Sequence, residues 1–383
     1  MLLDYSLGRK RHLATLQKRD YPVRNSTISI FKQGDRLFED FFSELSRANN
    51  HIHILFFIVK NDNISKRFFE ILIQKASEGI EVRLLLDQVG SHKIPKKKQV
   101  ELKAAGIEFS YCNKIKPPFI FYSSQVRNHR KITVIDGKIG YMGGFNIGEE
   151  YIDMNPKLTP WRDYHLKITG EGVQDLQREF LNDWKKATRK EIEEQPKYYP
   201  ALEKGVICHQ FVPTDGVFLE DTFCEQILNA KESIFIGTPY FIPSSKVFHV
   251  LKKALEKGIK VTLLVPNISD HPLVKEASFR YLRVLLKEGL QVYQFINGFY
   301  HAKILIIDEE YCDIGTANFD MRSFFLNYEM NCYIYNKTFM EQVMMVVKND
   351  LQDAKLLSRD ALDQPGLMIR VKEVIARPIS YFL

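Results

Sequence analysis

Two short segments of the chain carry the same polar pattern, HxKxxxxD. They are NHRKITVIDG and FYHAKILIIDEE, which supply His129, Lys131 and Asp136 in the first copy and His301, Lys303 and Asp308 in the second. The copies lie 172 positions apart, close to half of the 383-residue chain. Because side chains alternate along a strand, the histidine and the lysine of each copy are predicted to share one face.

The residues that follow each copy also repeat. A glycine-containing turn and an asparagine come next, as Gly143, Gly144 and Asn146 in the first half and as Gly315, Thr316 and Asn318 in the second. A single HxK pair would be interpreted as a solvated strand edge. Two copies in register with the same downstream residues are difficult to explain by packing, so we interpret them as a functional site.

These residue types suit chemistry at a phosphodiester. Histidine can act as nucleophile, general base or general acid near neutral pH, and lysine and asparagine side chains donate hydrogen bonds to anionic oxygens. Phosphoryl transfer needs a nucleophile, a proton donor for the leaving oxygen, and positive charge between them. The pattern predicts a double displacement through a phosphohistidine. It calls for no metal and no cofactor, because the lysines supply the charge and no metal-ligand motif competes.

The elements that must position these residues are repeated as well. EGIEVRLLLDQVGS resembles KGIKVTLLVPNISD, and LKAAGIEFSYC resembles LKEGLQVYQFI, each with a glycine before a strand. Alternating helices and strands predict an α/β fold with a largely parallel or mixed sheet. We expect two similar halves related by a pseudo-two-fold axis, with the site at their interface, where ligand clefts are common.

A charged, proline-bearing segment, KKATRKEIEEQPKYYPALEKG, separates the two halves. We predict a basic N-terminal arm at 1–27, a first domain at 28–190, a linker at 191–205 and a second domain at 206–383. The arm begins Met1-Leu2-Leu3 and continues with a basic segment. It fits either an ordinary basic arm or the end of a membrane anchor whose preceding part is missing from this chain.

Composition limits the class of protein and its partners. The net charge is +7 and hydrophobic residues make up 45% of the chain, which is ordinary for a globular protein with an anionic partner. Charge alone does not choose between nucleic acid, an anionic membrane surface and a phosphate-bearing substrate. The five cysteines have no CxxC spacing and are predicted to be reduced thiols. No apolar run is long enough to cross a bilayer.

The paired motif resembles the signature of the phospholipase D superfamily, HxKxxxxD followed by GG or GT and an asparagine. The surrounding segments GGFNIGEEY, WRDYH, GTANFDMRSFFLNYEM and ARPISYFL resemble those of bacterial cardiolipin synthases. The resemblance extends from about Ile28 to the C-terminus. It implies two phospholipase D-like α/β/α domains, and it departs from larger family members in lacking their membrane-spanning N-terminal hairpin.

The resemblance also implies roles for individual residues. His129 would be the nucleophile, and His301 would protonate the leaving group. The phosphate oxygens would be held by Lys131, Asn146, Lys303 and Asn318. Asp163 and Glu329 match the positions that orient the two histidines. The signature counts Asp136 and Asp308 with the catalytic residues, although the resemblance implies that both are structural and fix the local turn.

A run of apolar residues lies just before the first motif. Phe119, Ile120, Phe121 and Tyr122 follow two prolines in KIKPPFIFYSSQ. Either these residues pack into the core, or they form a loop at the mouth of the site that contacts the membrane or receives acyl chains. We predict membrane contact for all four.

The leading functional prediction is a phosphatidyltransferase that condenses two phosphatidylglycerol molecules into cardiolipin and glycerol. It would act at an anionic membrane surface on the cytoplasmic face of the cell membrane, without nucleic acid as a partner. A hydrolytic phospholipase D and a phospholipase D-type nuclease use the same motif and remain alternatives. A non-catalytic module that binds anionic membranes is a third, opposed by the intact histidines and lysines. The second substrate and the oligomeric state are left open.

Overall fold

A computed structural model describes residues 1–193, 195–363 and 366–382. Its helices are α1 (Leu2–Ala14), α2 (Gly34–Ser46), α3 (Asn63–Ser77), α4 (Lys96–Ala104), α5 (Ile120–Gln125), α6 (Val173–Thr188), α7 (Leu219–Asn229), α8 (Ser245–Glu256), α9 (Val274–Lys287), α10 (Met321–Phe325), α11 (Lys337–Gln352), α12 (Asp360–Asp363) and α13 (Leu367–Ile379).

The strands of the first half are β1 (Arg24–Phe31), β2 (His51–Phe56), β3 (Glu81–Asp87), β4 (Glu108–Cys112), β5 (Ile132–Ile135), β6 (Ile139–Gly143), β7 (Trp161–Arg162) and β8 (His165–Gly170). Those of the second half are β9 (Ile207–Asp215), β10 (Ser233–Gly237), β11 (Phe241–Ile242), β12 (Lys260–Pro266), β13 (Gln291–Phe295), β14 (Phe299–Tyr300), β15 (Ile304–Ile307), β16 (Tyr311–Gly315), β17 (Phe319–Asp320), β18 (Tyr328–Ile334) and β19 (Ala354–Leu356).

Fifteen of these strands form one mixed sheet that runs through both halves. Its order is β19-β13-β12-β10-β15-β16-β18-β9-β1-β8-β6-β5-β2-β3-β4. The order reads outward in the same way from the central antiparallel pair β1–β9, where Asn25 lies opposite Cys208. In each half the strands near the central pair are antiparallel and β2–β3–β4 or β10–β12–β13 pair in parallel, and β19 adds to the outer edge of the second half antiparallel to β13. The predicted α/β fold of two similar halves is confirmed.

Helices cover both faces of the sheet because the strands are apolar on both sides. On β2, Ile54 faces the cluster built with α2 and α3, whereas Leu55 faces the cluster built with α6 and α11. Helix α2 buries Leu37, Phe41 and Leu45 along one stripe, as its helical periodicity requires. Both halves therefore have the helix–sheet–helix layering that the resemblance implies.

The segment boundaries differ slightly from the prediction. Strand β1 begins at Arg24, so the first sheet strand starts before the predicted domain start at residue 28. The arm contains α1, which packs against α5. The predicted linker lies between the end of α6 at Thr188 and the start of β9 at Ile207, apart from residue 194, which is outside the described residues.

Among the described residues, no helix has the length and apolar character needed to span a bilayer.

Candidate active site

The two histidine–lysine pairs lie at the boundary between the halves, each just before a short strand of the sheet. His129 and Lys131 precede β5, and His301 and Lys303 precede β15. All four side chains are buried. The structure therefore brings together the residues that the two motifs predict, although they are distant in sequence.

Each histidine is oriented by a carboxylate from the opposite half of the chain. Nδ1 of His129 lies 2.9 Å from Oε2 of Glu329, and Nδ1 of His301 lies 2.5 Å from Oδ2 of Asp163. With Nδ1–H donated to a carboxylate, Nε2 of each neutral ring carries the lone pair, which is what a nucleophile or a base requires.

The main chain repeats this crossed arrangement. The amide of His129 donates to the carbonyl oxygen of Tyr328 at 2.9 Å, and the amide of His301 donates to that of Arg162 at 2.7 Å. Each motif is thus fixed to the segment that carries its carboxylate. The positions of both imidazoles depend on the contact between the halves.

The GG and GT turns of the two motifs hold these carboxylates in different ways. A Cβ at Gly144 would lie 1.9 Å from Oδ1 of Asp163, so glycine is needed there to admit the carboxylate. At the equivalent position Thr316 donates its hydroxyl to Glu329 at 2.6 Å, and Ser323 donates to the same carboxylate at 2.8 Å. Both carboxylates are therefore fixed before any substrate binds.

The two lysines create a site that favours an anion. Burial, followed by the nearby Lys303 ammonium, lowers the pKa of Lys131 to about 7, and burial lowers that of Lys303. Two buried ammonium groups close together disfavour each other's charge, and an anionic phosphodiester between them would relieve this effect.

Both histidines are neutral at neutral pH. Burial lowers the pKa of His129, and burial together with Lys303 lowers the pKa of His301 to about 4. Burial would raise the pKa of Asp163, but Lys303 and His301 outweigh burial and the net shift is downward. Burial likewise opposes ionisation of Glu329, but His129, Thr316 and Lys131 together outweigh it, so its pKa is also lowered. Two neutral imidazoles beside two carboxylates suit nucleophilic attack by one ring.

The predicted asparagines are buried close to the motifs. Asn146 accepts from the amide of Ile58 at 3.1 Å and donates to the hydroxyl of Tyr151 at 3.2 Å. The main-chain N–H of Asn318 donates to the hydroxyl of Ser323 at 3.0 Å. The second asparagine therefore lies beside a residue that donates to Glu329. The side chain of Asn146 therefore supports the site's main chain, and phosphate binding by either asparagine side chain stays a prediction.

Asp136 and Asp308 are not beside the histidines, so the catalytic role that the signature gives them is corrected here. Each lies at the far end of its four-residue strand, which spans about 13 Å. Asp136 accepts the amides of Asn49, Asn50 and His51, and Asp308 accepts those of Lys231, Glu232 and Ser233. Both carboxylates fix the turn that leads into the neighbouring strand, which is the structural role considered above.

The apolar run before the first motif is only partly available to a membrane. Helix α5 begins at Ile120, which is exposed, whereas Phe119 and Phe121 are half-buried. Tyr122 is buried under α1, where a Cβ at Gly8 would lie 2.6 Å from it. The predicted membrane contact is therefore wrong for Tyr122, because the N-terminal helix covers its ring.

Three site residues were not predicted from the sequence. Phe57 packs on His129 and Trp161 on His301, with ring centroids 5.0 and 4.8 Å apart. Arg130 is buried between the motif residues and bonds to Asp183 and to Asp215 of β9, joining the two halves. The sequence did give one indication of this role. Arg130 lies between His129 and Lys131, so alternation along the chain directs its side chain to the face opposite theirs.

Two crossed histidine–carboxylate pairs, each with a buried lysine two positions after its histidine, define an enzyme of the phospholipase D type. The family model described as "Cardiolipin synthase, PLD-like domain" matches residues 41–184 and 223–351. The minor cardiolipin synthase ClsB of Bacillus subtilis is 41% identical over 383 residues, which cover 100% of this chain and 96% of that protein. The major cardiolipin synthase ClsA of the same organism is 38% identical, covering 94% and 76%.

Among solved structures, phosphatidylserine synthase from Haemophilus influenzae has a TM-score of 0.74 at 16% identity, covering 99% of this chain and 100% of that one. This likeness shows the shared fold. The sequence matches show the family: the chain belongs to the phospholipase D-like cardiolipin synthases. It is an enzyme, a phosphatidyltransferase that acts on phospholipids.

Proposed function

We propose that the protein condenses two phosphatidylglycerol molecules into cardiolipin and glycerol, working at an anionic membrane surface on the cytoplasmic side. The observation that carries this proposal is the pair of crossed histidines, each with Nδ1 bonded to a carboxylate and with a lysine beside it. Two equivalent imidazoles suit a reaction with two transfers at one phosphorus, in which one ring attacks the phosphorus and is later released while the other moves a proton.

In the first transfer, Nε2 of His129 attacks the phosphorus of one phosphatidylglycerol. The bond from phosphorus to the headgroup glycerol oxygen breaks, and His301 gives that oxygen its proton. The resting His301 is neutral, so it must gain a proton when substrate binds. A bound phosphodiester anion favours this, because it offsets the Lys303 charge that lowers the pKa of His301.

In the second transfer, His301 takes a proton from the headgroup hydroxyl of a second phosphatidylglycerol. That oxygen attacks phosphorus, the bond to Nε2 of His129 breaks, and cardiolipin leaves with both histidines restored. Lys131 and Lys303 offset the charge on the phosphoryl oxygens in both steps. Water in place of the second lipid would give phosphatidic acid, the product of a hydrolytic phospholipase D.

The test is incubation with phosphatidylglycerol vesicles, measuring lipid products and released glycerol together. We expect one cardiolipin for each glycerol, and no product from His129→Ala. Phosphatidic acid without cardiolipin would replace this proposal with the hydrolytic reaction, and cleavage of DNA without lipid turnover would replace it with the nuclease.

The roles of the two histidines are tested separately with a phosphatidyl ester of a good leaving group, such as p-nitrophenol. His301→Ala should be slowed about 10²–10⁴-fold on phosphatidylglycerol, and partly rescued on the activated ester, because that leaving group needs no proton. Rescue of His129→Ala instead would reverse the two roles.

A further inference from the structure

Helix α13 exposes a continuous apolar face. Its outward residues are Leu367, Met368, Val371, Val374 and Ile375, which are 80%, 74%, 51%, 73% and 52% exposed. At 3.6 residues per turn these five positions fall within about one third of the helix circumference. An apolar patch of this kind marks an interaction surface, because a soluble protein ordinarily scatters such residues.

The opposite face fixes this helix to the second half. Ala376 is buried against Val274 and Ala277 of α9. Glu373 accepts two hydrogen bonds from Arg283 of α9, at 2.7 and 2.6 Å. The helix is therefore docked on its protein side, while its larger apolar side chains point away from the core.

The borders of the exposed face are basic. Arg370 and Arg377 lie along one edge, and Lys372, which pairs with Glu276 of α9 at 3.4 Å, lies along the other; all three are exposed. Glu373, the only acidic residue in the sequence of α13, forms an ion pair with Arg283. Basic residues at the borders of an apolar helix face are typical of helices that lie in the surface of an anionic bilayer.

The helix lies beside the candidate active site. Tyr240 packs in the same cluster as Ala376, and its ring centroid is 6.3 Å from that of His301. Beyond the helix, the ring of Phe382 lies 5.8 Å from that of Phe121, next to the exposed Ile120. The helix therefore packs in the same cluster as a residue whose ring contacts a catalytic histidine.

We propose that α13 is an interfacial helix whose apolar face enters an anionic phospholipid bilayer and sets the active site against the membrane. This inference deepens the proposed function and rests on it for the identity of the lipid. A second copy of the chain fits this face less well, because a two-fold pairing would bring the basic borders of the two helices together.

The test compares a variant of the apolar face with a matched control of equally exposed apolar residues elsewhere. The variant is Leu367→Ser, Val371→Ser and Val374→Ser, and the control is Val100→Ser, Val206→Ser and Met345→Ser, whose residues are 68%, 82% and 66% exposed. Binding to vesicles of phosphatidylglycerol and of phosphatidylcholine is measured by flotation, and turnover is measured on dissolved short-chain phosphatidylglycerol.

We expect the α13 variant to bind phosphatidylglycerol vesicles at least about tenfold more weakly than the control. Turnover of the dissolved substrate should be equal in both, and wild-type binding should be weaker on phosphatidylcholine. In Val374→Trp, the added indole should shift its emission to shorter wavelength when phosphatidylglycerol vesicles are added. Normal vesicle binding by the α13 variant would overturn the inference. It would also be overturned if the wild type were a dimer, the variant a monomer, and vesicle binding the same in both. If the α13 variant loses vesicle binding as expected but the wild type forms no cardiolipin, the proposed function is contradicted and the inference about the helix is not.

Discussion

Glu329→Gln should slow the attack by His129 while leaving the fold intact. The carboxylate is buried and accepts from Nδ1 of His129 at 2.9 Å. The glutamine oxygen can keep the bonds to His129 and Thr316, and its nitrogen can donate to the Ser323 hydroxyl, so that only the 3.3 Å bond from Asn327 is lost. The variant therefore removes the charge that stabilises the ring when it becomes cationic on bonding to phosphorus.

A hydrogen bond to a charged group contributes about 1.5–3 kcal/mol. At about 1.36 kcal/mol for each factor of ten, turnover should fall about 10- to 150-fold. The matched variant is Asp163→Asn, which perturbs His301 through the equivalent contact at 2.5 Å. The assay measures both variants on phosphatidylglycerol and on the p-nitrophenyl ester of phosphatidic acid, with thermal unfolding as a check of the fold.

On the activated ester, the loss of turnover in Asp163→Asn should be smaller than on phosphatidylglycerol, and the loss in Glu329→Gln should be the same. The reason is that only Asp163 acts through protonation of the leaving group. An equal recovery in both variants, or a Glu329→Gln enzyme within twofold of wild type, would refute the reasoning that each carboxylate serves the histidine of the other half.

Three further predictions concern charge. Activity should survive prolonged treatment with EDTA, because lysines supply the positive charge at the phosphate; complete loss that a divalent ion restores, with vesicle binding unchanged, would contradict this. Sulfate binding at pH 8 should take up protons, because the anion raises the pKa of Lys131 from about 7, so affinity should weaken as the pH rises above 7. Calorimetry in two buffers of different ionisation heat measures this uptake, which should be lost in Lys131→Met. Arg130→Met should lower the free energy of unfolding by about 3–5 kcal/mol, because it leaves Asp183 buried without its cation. The control Arg178→Met, at a pair whose arginine side chain is 40% exposed, should cost under about 1 kcal/mol in the same denaturant titration.

The repeat made much of the fold predictable from the sequence. Equivalent glycines and apolar runs indicated equivalent strands, and alternation placed His129 with Lys131 and His301 with Lys303. These inferences depend on local spacing, which a sequence shows directly. The continuous sheet was not predictable in the same way, because the β1–β9 pairing depends on how two finished halves meet.

Long-range contacts also explain what the sequence did not show about the site. The resemblance identified Asp163 and Glu329, but not that each would serve the histidine of the opposite half. Tyr122 was expected at the membrane, and its burial depends on Gly8 of α1, more than a hundred residues earlier. A short apolar run has no periodicity that could separate these outcomes.

The crossed pairing has a consequence for the chain during its synthesis. Proteins emerge from the ribosome N-terminus first, and their domains fold in that order. His129 and Lys131 are therefore present long before Glu329 has been made, and the first half on its own lacks the acceptor for Nδ1 of its histidine. Attack on lipid phosphates has to wait until β18 has joined the sheet. A nascent or truncated chain that ends before residue 329 would carry a complete first motif and no oriented nucleophile.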